Sequence, residues 1–188
     1  MSPTSDITWI FGYGSLMWRP DFKYLDRRTA WVEGWARRLW QGSTDHRGIP
    51  GSPGRVVTLT RSPGAQCWGI AYSIDGALLP AILDRLDFRE QGGYERIKTK
   101  IYSPEAEPVN GLLYIAGPGN RNYLGEATVQ EISKQAIHAS GPSGHNADYL
   151  HRLAESIRAL GATDKHVFEV EKEMKRLRGA ENTSPPTT

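Results

Sequence analysis

The chain has 188 residues, 23 Lys+Arg against 21 Asp+Glu, and 38% hydrophobic residues, a length that fits one domain of roughly 100 to 200 residues. A compact chain of this size buries about 70% of the surface its unfolded form exposes, so neither a disulfide nor a metal staple is required. A formal net charge of +2 with both signs mixed along the chain falls short of the concentrated basic footprint of a nucleic-acid binder.

In chain order, Met1 to Asp6 is polar and the apolar run Ile7 to Phe11 is too short for a signal-peptide core, so no membrane insertion or secretion is expected. Ile7 to Tyr13 reads as a strand ending at Gly14-Ser15, and Trp31 to Trp40, Arg55 to Thr60, Gln66 to Ile74 and Val109 to Ala116 read likewise. Arg96 to Tyr102 alternates Ile97, Thr99 and Ile101 with Arg96, Lys98 and Lys100, the period of a half-buried strand. Between these, Leu79, Ile82, Leu83 and Leu86 share a helical face with Pro80 in the first turn, and the helix stops near Asp87. Gln91-Gly92-Gly93 then breaks the chain, which places Arg89 and Glu90 on a helix-to-strand connection, a kind of segment that often carries sites.

The last third reads as helical. Thr128 and Glu131 form a capping box ahead of Ile132, Ala136 and Ile137. Tyr149, Leu150, Leu153, Ile157 and Leu160 form a second stripe closed by Gly161, and Val167, Val170, Met174 and Leu177 a third closed by Gly179. Glu181 to Thr188 has Pro185-Pro186 and no large apolar residue, and is expected to be a disordered tail. About six strands early and helices late, without strict alternation, predict an α+β fold in which a mixed, strongly curved or closed sheet carries helices outside. No linker divides the chain, so residues 7–179 are read as a single domain.

Phe11-Gly12-Tyr13-Gly14-Ser15-Leu16-Met17 follows the first strand. Its glycines permit positive φ, the geometry in which backbone N–H groups converge on an anion such as a small carboxylate. An ordinary glycine-rich turn is the plainer account of the segment alone, since Gly-x-Gly by itself is weak evidence of nucleotide binding. Glu90, beside Tyr94, can serve as a general base if burial raises its carboxyl pKa, while Arg89 beside it would push the other way; a solvated loop acid is the plainer reading of that residue alone. Trp35 to Trp40, with Arg37 and Arg38 between aromatics, is better read as a strand than as a nucleic-acid platform. The five histidines lack zinc-helix spacing. Cys67, the single cysteine, can form no intrachain disulfide and reads as a small core residue, which fits a reducing, cytoplasmic setting. Gly141-Pro142-Ser143-Gly144 reads as the turn leading into the Tyr149 helix.

Taken together, these segments resemble the ChaC family of γ-glutamylcyclotransferases. The resemblance is carried by Phe11 to Trp18, Gln41-Gly42-Ser43-Thr44-Asp45-His46-Arg47-Gly48, Pro53 to Leu59, Arg89-Glu90-Gln91-Gly92-Gly93-Tyr94, Asn122-Tyr123-Leu124-Gly125, and Gly141 to Gly144 ahead of Tyr149-Leu150. In that order they cover nearly the whole chain. The resemblance implies a small barrel-like mixed sheet with surrounding helices, and an enzyme that cleaves glutathione to 5-oxoproline and Cys-Gly. It further implies that the Gly12, Tyr13, Gly14, Ser15, Leu16 and Met17 loop binds the γ-glutamyl moiety and that Glu90 is the catalytic acid/base. Because the substrate's own amine attacks its own carbonyl, no metal or organic cofactor is needed, and the partner is a small molecule rather than nucleic acid or membrane. Tyr13 and Tyr94 are candidates for orienting substrate or Glu90. Arg55 can pair with the glycyl carboxylate of glutathione, although a structural role is equally consistent. Other γ-glutamyl amines as substrates, and a non-catalytic binding module, are the alternatives.

Overall fold

A computed structural model describes residues 8–89 and 93–183 of the chain. Its elements in order are β1 (Thr8–Gly12), a 3₁₀ turn (Ser15–Met17), β2 (Asp26–Ser43), β3 (Gly54–Ile74), α1 (Leu79–Arg89), β4 (Glu95–Ser103) and β5 (Ala106–Ile115), followed by α2 (Val129–His138), the two-residue strands β6 (Ser140–Gly141) and β7 (Gly144–His145), α3 (Asn146–Ala159) and α4 (Lys165–Thr183). The five long strands close into a barrel in the order β1-β3-β2-β4-β5. Antiparallel pairing runs throughout except where β1 meets β5 in parallel through Trp9 with Gly111 and Ile10 with Leu112.

The expected mixed, closed sheet is present, with one correction: Arg55 to Thr60 and Gln66 to Ile74 are halves of one 21-residue strand, β3. Its middle, Ser62 to Ala65, bulges out opposite Gly34, because the register passes from Arg61 with Trp35 to Gln66 with Glu33. A chain can bend there without leaving the sheet. The C-terminal half of β3 is held on both edges, by β1 and β2, whereas Gly54 to Arg61 pairs with the far end of β2. That far end, with the Thr44 to Pro53 connection, forms an arm of the β2–β3 pair past the residues that β1 covers.

Helices α2, α3 and α4 pack together and against β2 and β3. Ile132 and Ala136 of α2, Leu150, Leu153 and Ile157 of α3, and Val167, Val170 and Met174 of α4 are all fully buried, as their helical spacing requires. The capping box at α2 forms as read: Thr128 Oγ1 accepts the Glu131 N–H at 3.2 Å and Glu131 Oε2 accepts the Thr128 N–H at 2.8 Å. Helix α4 does not stop at Gly179 but continues to Thr183; a glycine inside a helix costs only about 1 kcal/mol and does not by itself end one. No described helix is long and apolar enough to cross a membrane.

Two polar clusters fasten the helices. Glu171 on α4, 4% exposed, accepts from Arg158 of α3, from Lys175 Nζ at 3.0 Å and from His151 Nδ1 at 3.5 Å. Burial opposes its charge, but the hydrogen bonds from Arg158, Lys175 and His151 overcome this and hold the carboxyl down at about 2. The second cluster is centred on Arg37 of β2, 2% exposed. Its Nη1 meets Asp164 Oδ2 at 2.8 Å, just ahead of α4, its Nε donates to the Tyr13 carbonyl at 2.8 Å, and its Nη2 donates to the Trp68 carbonyl.

A carboxylate whose pKa is lower in the folded than in the unfolded chain stabilises the fold above the unfolded value and loses that contribution as pH falls toward the folded one. Glu171→Gln is therefore expected to be less stable than the wild type at neutral pH. The gap between their urea midpoints should narrow as pH falls from about 4.5 toward 2. Arg37→Met strands Asp164, whose side chain is 14% exposed, and leaves the Tyr13 and Trp68 carbonyls without this donor, and is expected to lose about 3 kcal/mol in equilibrium unfolding; a loss below about 1 kcal/mol would show the cluster to be dispensable.

Candidate active site

At the base of this arm lies a cavity of about 480 Å³, walled by the loop after β1 (Tyr13, Gly14, Ser15, Leu16), by Ser43, Asp45, His46 and Arg47 from the end of β2 and its connection, by Val56 and Val57 of β3, and by Phe88, Tyr94, Tyr114, Ser143 and Tyr149. This is within the range of small-molecule sites.

The first loop is held by its carbonyls. Tyr13 O accepts from Arg37 Nε at 2.8 Å, Gly14 O from Met17 N at 2.9 Å, Ser15 O from Arg19 N at 2.8 Å, and Leu16 O from Tyr72 Oη at 2.7 Å. Burial pushes the Tyr72 hydroxyl up to about 12, so it remains a proton donor. Within a planar trans peptide the N–H points opposite the preceding C=O. With the carbonyls of Tyr13, Gly14 and Ser15 drawn into the fold, the amides of Gly14, Ser15 and Leu16 are aimed the other way, and these three residues line the cavity.

The glycines of this loop serve a purpose other than the expected one. Neither Gly12 nor Gly14 has positive φ, and Gly14 sits at φ −125°. Each is required by contact: a Cβ on Gly12 would stand 2.7 Å from Leu16 Cβ, and one on Gly14 would stand 2.9 Å from Val57 Cγ2. Gly12 and Met17 also do not face the cavity. They frame the loop, Met17 being 4% exposed in the core and closing the turn with its N–H.

An irregularity in the sheet places the tyrosines. The β2–β3 register slips between Arg38 with Thr58 and Gln41 with Val56, so backbone groups at Leu39, Trp40 and Val57 take partners outside the ladder. Leu39 N–H donates to His166 Nε2 at 3.1 Å, Leu39 O accepts from Arg55 Nη1 at 3.1 Å, and Trp40 O accepts from Leu124 N at 2.8 Å. Burial, aided by Arg38, holds the His166 imidazole down at about 4, which keeps it neutral and an acceptor. Across the slip, Val57 N–H donates to Tyr149 Oη at 3.2 Å and Val57 O accepts from Tyr94 Oη at 2.7 Å. Both tyrosines are thus hung on one strand residue, one on each side of the cavity wall.

The remaining motifs meet at the same place. Gly42 N–H donates to Asn122 O at 2.7 Å, docking the Asn122 to Gly125 segment on β2. A Cβ on Gly48 would fall 2.1 Å from Gly54 N, and one on Gly141 would fall 2.5 Å from the carbonyls of His46 and Gly48. These glycines let three stretches of backbone stack directly. Ser143 N–H donates to His46 O at 2.9 Å, and His46 Nδ1 lies 3.2 Å from Ser143 Oγ. Gly141 to Gly144 is therefore a β6–β7 hairpin clasped to the arm, more than the simple helix-leading turn expected.

Arg55 is the expected site residue that moves elsewhere. It is 7% exposed and does not line the cavity. Its Nε donates to Gln135 Oε1 at 2.7 Å and its Nη1 to the carbonyls of Leu39 and Gly125, where the slipped sheet needs donors, so it is not placed to meet a substrate carboxylate. Two arginines do line the cavity, Arg19, which is paired with Asp21 at 2.9 Å, and Arg47, whose guanidinium lies 5.8 Å from the Tyr149 ring centroid and donates to His145 O at 3.2 Å. Arg47 stands inside a quoted motif, but nothing in the sequence separates its inward aim from the outward aim of a solvated arginine. Tyr114 and Tyr149 were likewise legible only as strand and helix residues. Glu90 lies outside the described residues; on either side of it, Phe88 and Tyr94 both line the cavity. Cys67 is 3% exposed, and burial, tempered by Arg37, pushes its thiol up to about 11, so it is inert as a nucleophile. Among the described residues no group of three His, Cys, Asp or Glu side chains is gathered to hold a metal.

Comparison with known proteins gives a consistent grouping. A family model described as ChaC-like protein matches residues 8–177. The human glutathione-specific gamma-glutamylcyclotransferase 1 is 45% identical over 168 residues, covering 86% of this chain and 76% of the human one. The glutathione-specific gamma-glutamylcyclotransferase of Schizosaccharomyces pombe is 31% identical, covering 94% of this chain and 96% of its own. Among solved structures, a yeast γ-glutamyl cyclotransferase specific to glutathione superposes with a TM-score of 0.85 at 25% identity, covering 90% of this chain and 96% of the yeast chain. With the family model matching residues 8–177 and a relative 45% identical over most of its length, the chain belongs to the ChaC-like family.

Proposed function

We propose that this chain is a glutathione-specific γ-glutamylcyclotransferase in which Glu90 is the acid/base. The observation that carries the reading is the first loop: three consecutive amides aimed at a cavity while their carbonyls are tied into the fold. Such a row suits the carboxylate of a γ-glutamyl group or the oxyanion that forms at its γ-carbonyl. The relatives' own substrate, named for the human and fission-yeast proteins, supplies the substrate class.

The chemistry is an internal aminolysis. The α-amine of the γ-glutamyl group attacks its γ-carbonyl, a five-membered lactam closes, and the amide nitrogen leaves as the amine of Cys-Gly. The attacking amine must be neutral, so a carboxylate takes its proton and returns one to the departing nitrogen. Nucleophile and electrophile share one molecule, and the protein's main task is to fold the substrate into its attack conformer, an effect worth up to roughly 7 to 11 kcal/mol. Glu90 belongs to the short connection bounded by Phe88 and Tyr94, both in the cavity wall, and Tyr94 is anchored to Val57. Arg47 forms no ion pair with a described carboxylate and spends one donor on His145 O, which leaves its fork able to meet a carboxylate on the substrate. Arg19, by contrast, is paired with Asp21 at 2.9 Å.

The direct test is release of 5-oxoproline from reduced glutathione by the purified protein. Glu90→Gln should keep the fold and lose at least about a hundredfold in kcat, since Gln cannot accept the amine proton; near-normal turnover by folded Glu90→Gln would end its assigned role. Gly14→Val, which drives a Cβ against Val57, should cost far more activity than Ser15→Ala. If wild type releases 5-oxoproline from other γ-glutamyl amines but not from glutathione, the reaction stands and the substrate assignment falls.

A further inference from the structure

Tyr114 on β5 occupies a position that the reaction scheme above does not use. It is 5% exposed and lines the cavity. Its carbonyl accepts the Tyr13 hydroxyl at 2.6 Å, so it is tied to the substrate loop. Its own hydroxyl donates to Asp87 Oδ1 at 2.6 Å, a length typical of a hydroxyl bonded to a carboxylate. Asp87 lies in the last turn of α1, three positions before Glu90. The cross-strand neighbour of Tyr114 is Arg96 of β4, whose Nη2 reaches the other Asp87 oxygen at 3.7 Å. The end of α1 is thus docked on the β4–β5 pair through one carboxylate, and the residue that receives it also receives the substrate loop.

We infer that Tyr114 and Asp87 are positioning residues that set the segment carrying Glu90 against the Gly14 loop. Helix α1 otherwise meets the core through Ile82 and Leu86, and Phe88, the residue after Asp87, is 72% exposed. Apolar packing therefore reaches as far as Leu86, and Arg85 Nη1 adds a hydrogen bond to Asp21 O at 3.0 Å, but beyond Leu86 the exposed Phe88 gives no grip where the connection departs. The Tyr114–Asp87 hydrogen bond supplies that grip before Glu90, and the Tyr94–Val57 hydrogen bond supplies one after it. A base that must take and return a proton within one turnover tolerates little displacement, and an error of about 1 Å can cost up to a hundredfold in rate. The role rests on the reading of Glu90 as the acid/base.

The test is steady-state kinetics of 5-oxoproline release from glutathione with four variants. Tyr114→Phe keeps the ring and deletes the hydroxyl; it should lower kcat about tenfold with KM within about twofold, because what shifts is the proton-transfer geometry rather than the binding surface. Asp87→Leu should match it, and Tyr114→Phe with Asp87→Leu should fall no further than either alone, since both remove one interaction. Asp87→Asn retains an acceptor oxygen and should recover most of the lost kcat, a rescue that loss of charge or of stability would not give. Amide exchange in the Leu86 to Tyr94 stretch should quicken in the variants that lose the bond. Full kcat in Tyr114→Phe, additive losses in the double variant, or a loss confined to KM would each overturn the role. No release of 5-oxoproline by wild type from glutathione or from any other γ-glutamyl amine would remove the Glu90 reading itself, whereas turnover by wild type with an indifferent Tyr114→Phe removes the positioning role alone.

Discussion

A guanidinium placed where no water reaches it must find acceptors for its donors, and Arg37 finds them on three segments that are far apart in sequence: Tyr13 after β1, Trp68 in β3 and Asp164 before α4. Burial acts against the charge, and Asp164, through its own charge and its hydrogen bond, offsets it, so the group stays protonated. Arginine is suited to this where lysine is not, because a planar fork can serve three acceptors in fixed directions at once. Two residues past Asp164, His166 caps Leu39 on the same strand as Arg37, so the start of α4 is registered on β2 at two points. The loop that lines the cavity inherits this registration through the Tyr13 carbonyl.

From that constraint the site follows as a set of repairs to an imperfect sheet. A perfect β2–β3 ladder would satisfy its own backbone and offer nothing to the side. The slip at Leu39 and Trp40 releases backbone groups, and buried groups of that kind need partners. Arg55, His166, Leu124, Tyr94 and Tyr149 supply them. Two of these partners are cavity tyrosines, so the same defect fixes the rings on the wall. Bulges beside binding sites commonly act in this way.

The division between what was legible in the sequence and what was not follows the range of the interactions. Short-range signals transferred intact: the Thr128–Glu131 box, the alternation in β4, and the apolar stripes of α2, α3 and α4 each depend on residues within one or two turns or strand steps. The motif glycines were legible as necessary but not for the right reason, since Gly12, Gly14, Gly48 and Gly141 are demanded by neighbours that only the folded chain brings near. The joining of two predicted strands into β3 depended on a bulge whose partner, Gly34, lies across the hairpin. Arg37, Arg47 and Arg55 look alike on the page. One became a buried clasp, one a cavity cation and one a patch over the sheet defect, because their directions are set by register, which the local sequence does not encode.

The wall of the cavity has a consequence for proton chemistry. Four tyrosines contribute to it, and each spends its hydroxyl on the framework: Tyr13 on Tyr114 O, Tyr94 on Val57 O, Tyr114 on Asp87, and Tyr149 on the Val57 N–H. Tyrosine supplies an apolar face with a polar tip, and with the tips tied down the faces add fixed apolar surface to a wall that also carries Asp45, His46 and Arg47. Substrate ordering then requires little reorganisation of the protein, which suits the ring closure proposed above, where proximity supplies part of the rate. In such surroundings a carboxylate is a stronger base than in water, because desolvation penalises its charged form. A single acid of that kind can take a proton from an ammonium and give it up to a departing amide nitrogen, whereas a carboxylate left in bulk water would be too weak to do the first. The framework bonds of the tyrosines therefore fit the role proposed for Glu90, because the sheet defect that anchors Tyr94 and Tyr149 also fixes their faces on the cavity wall.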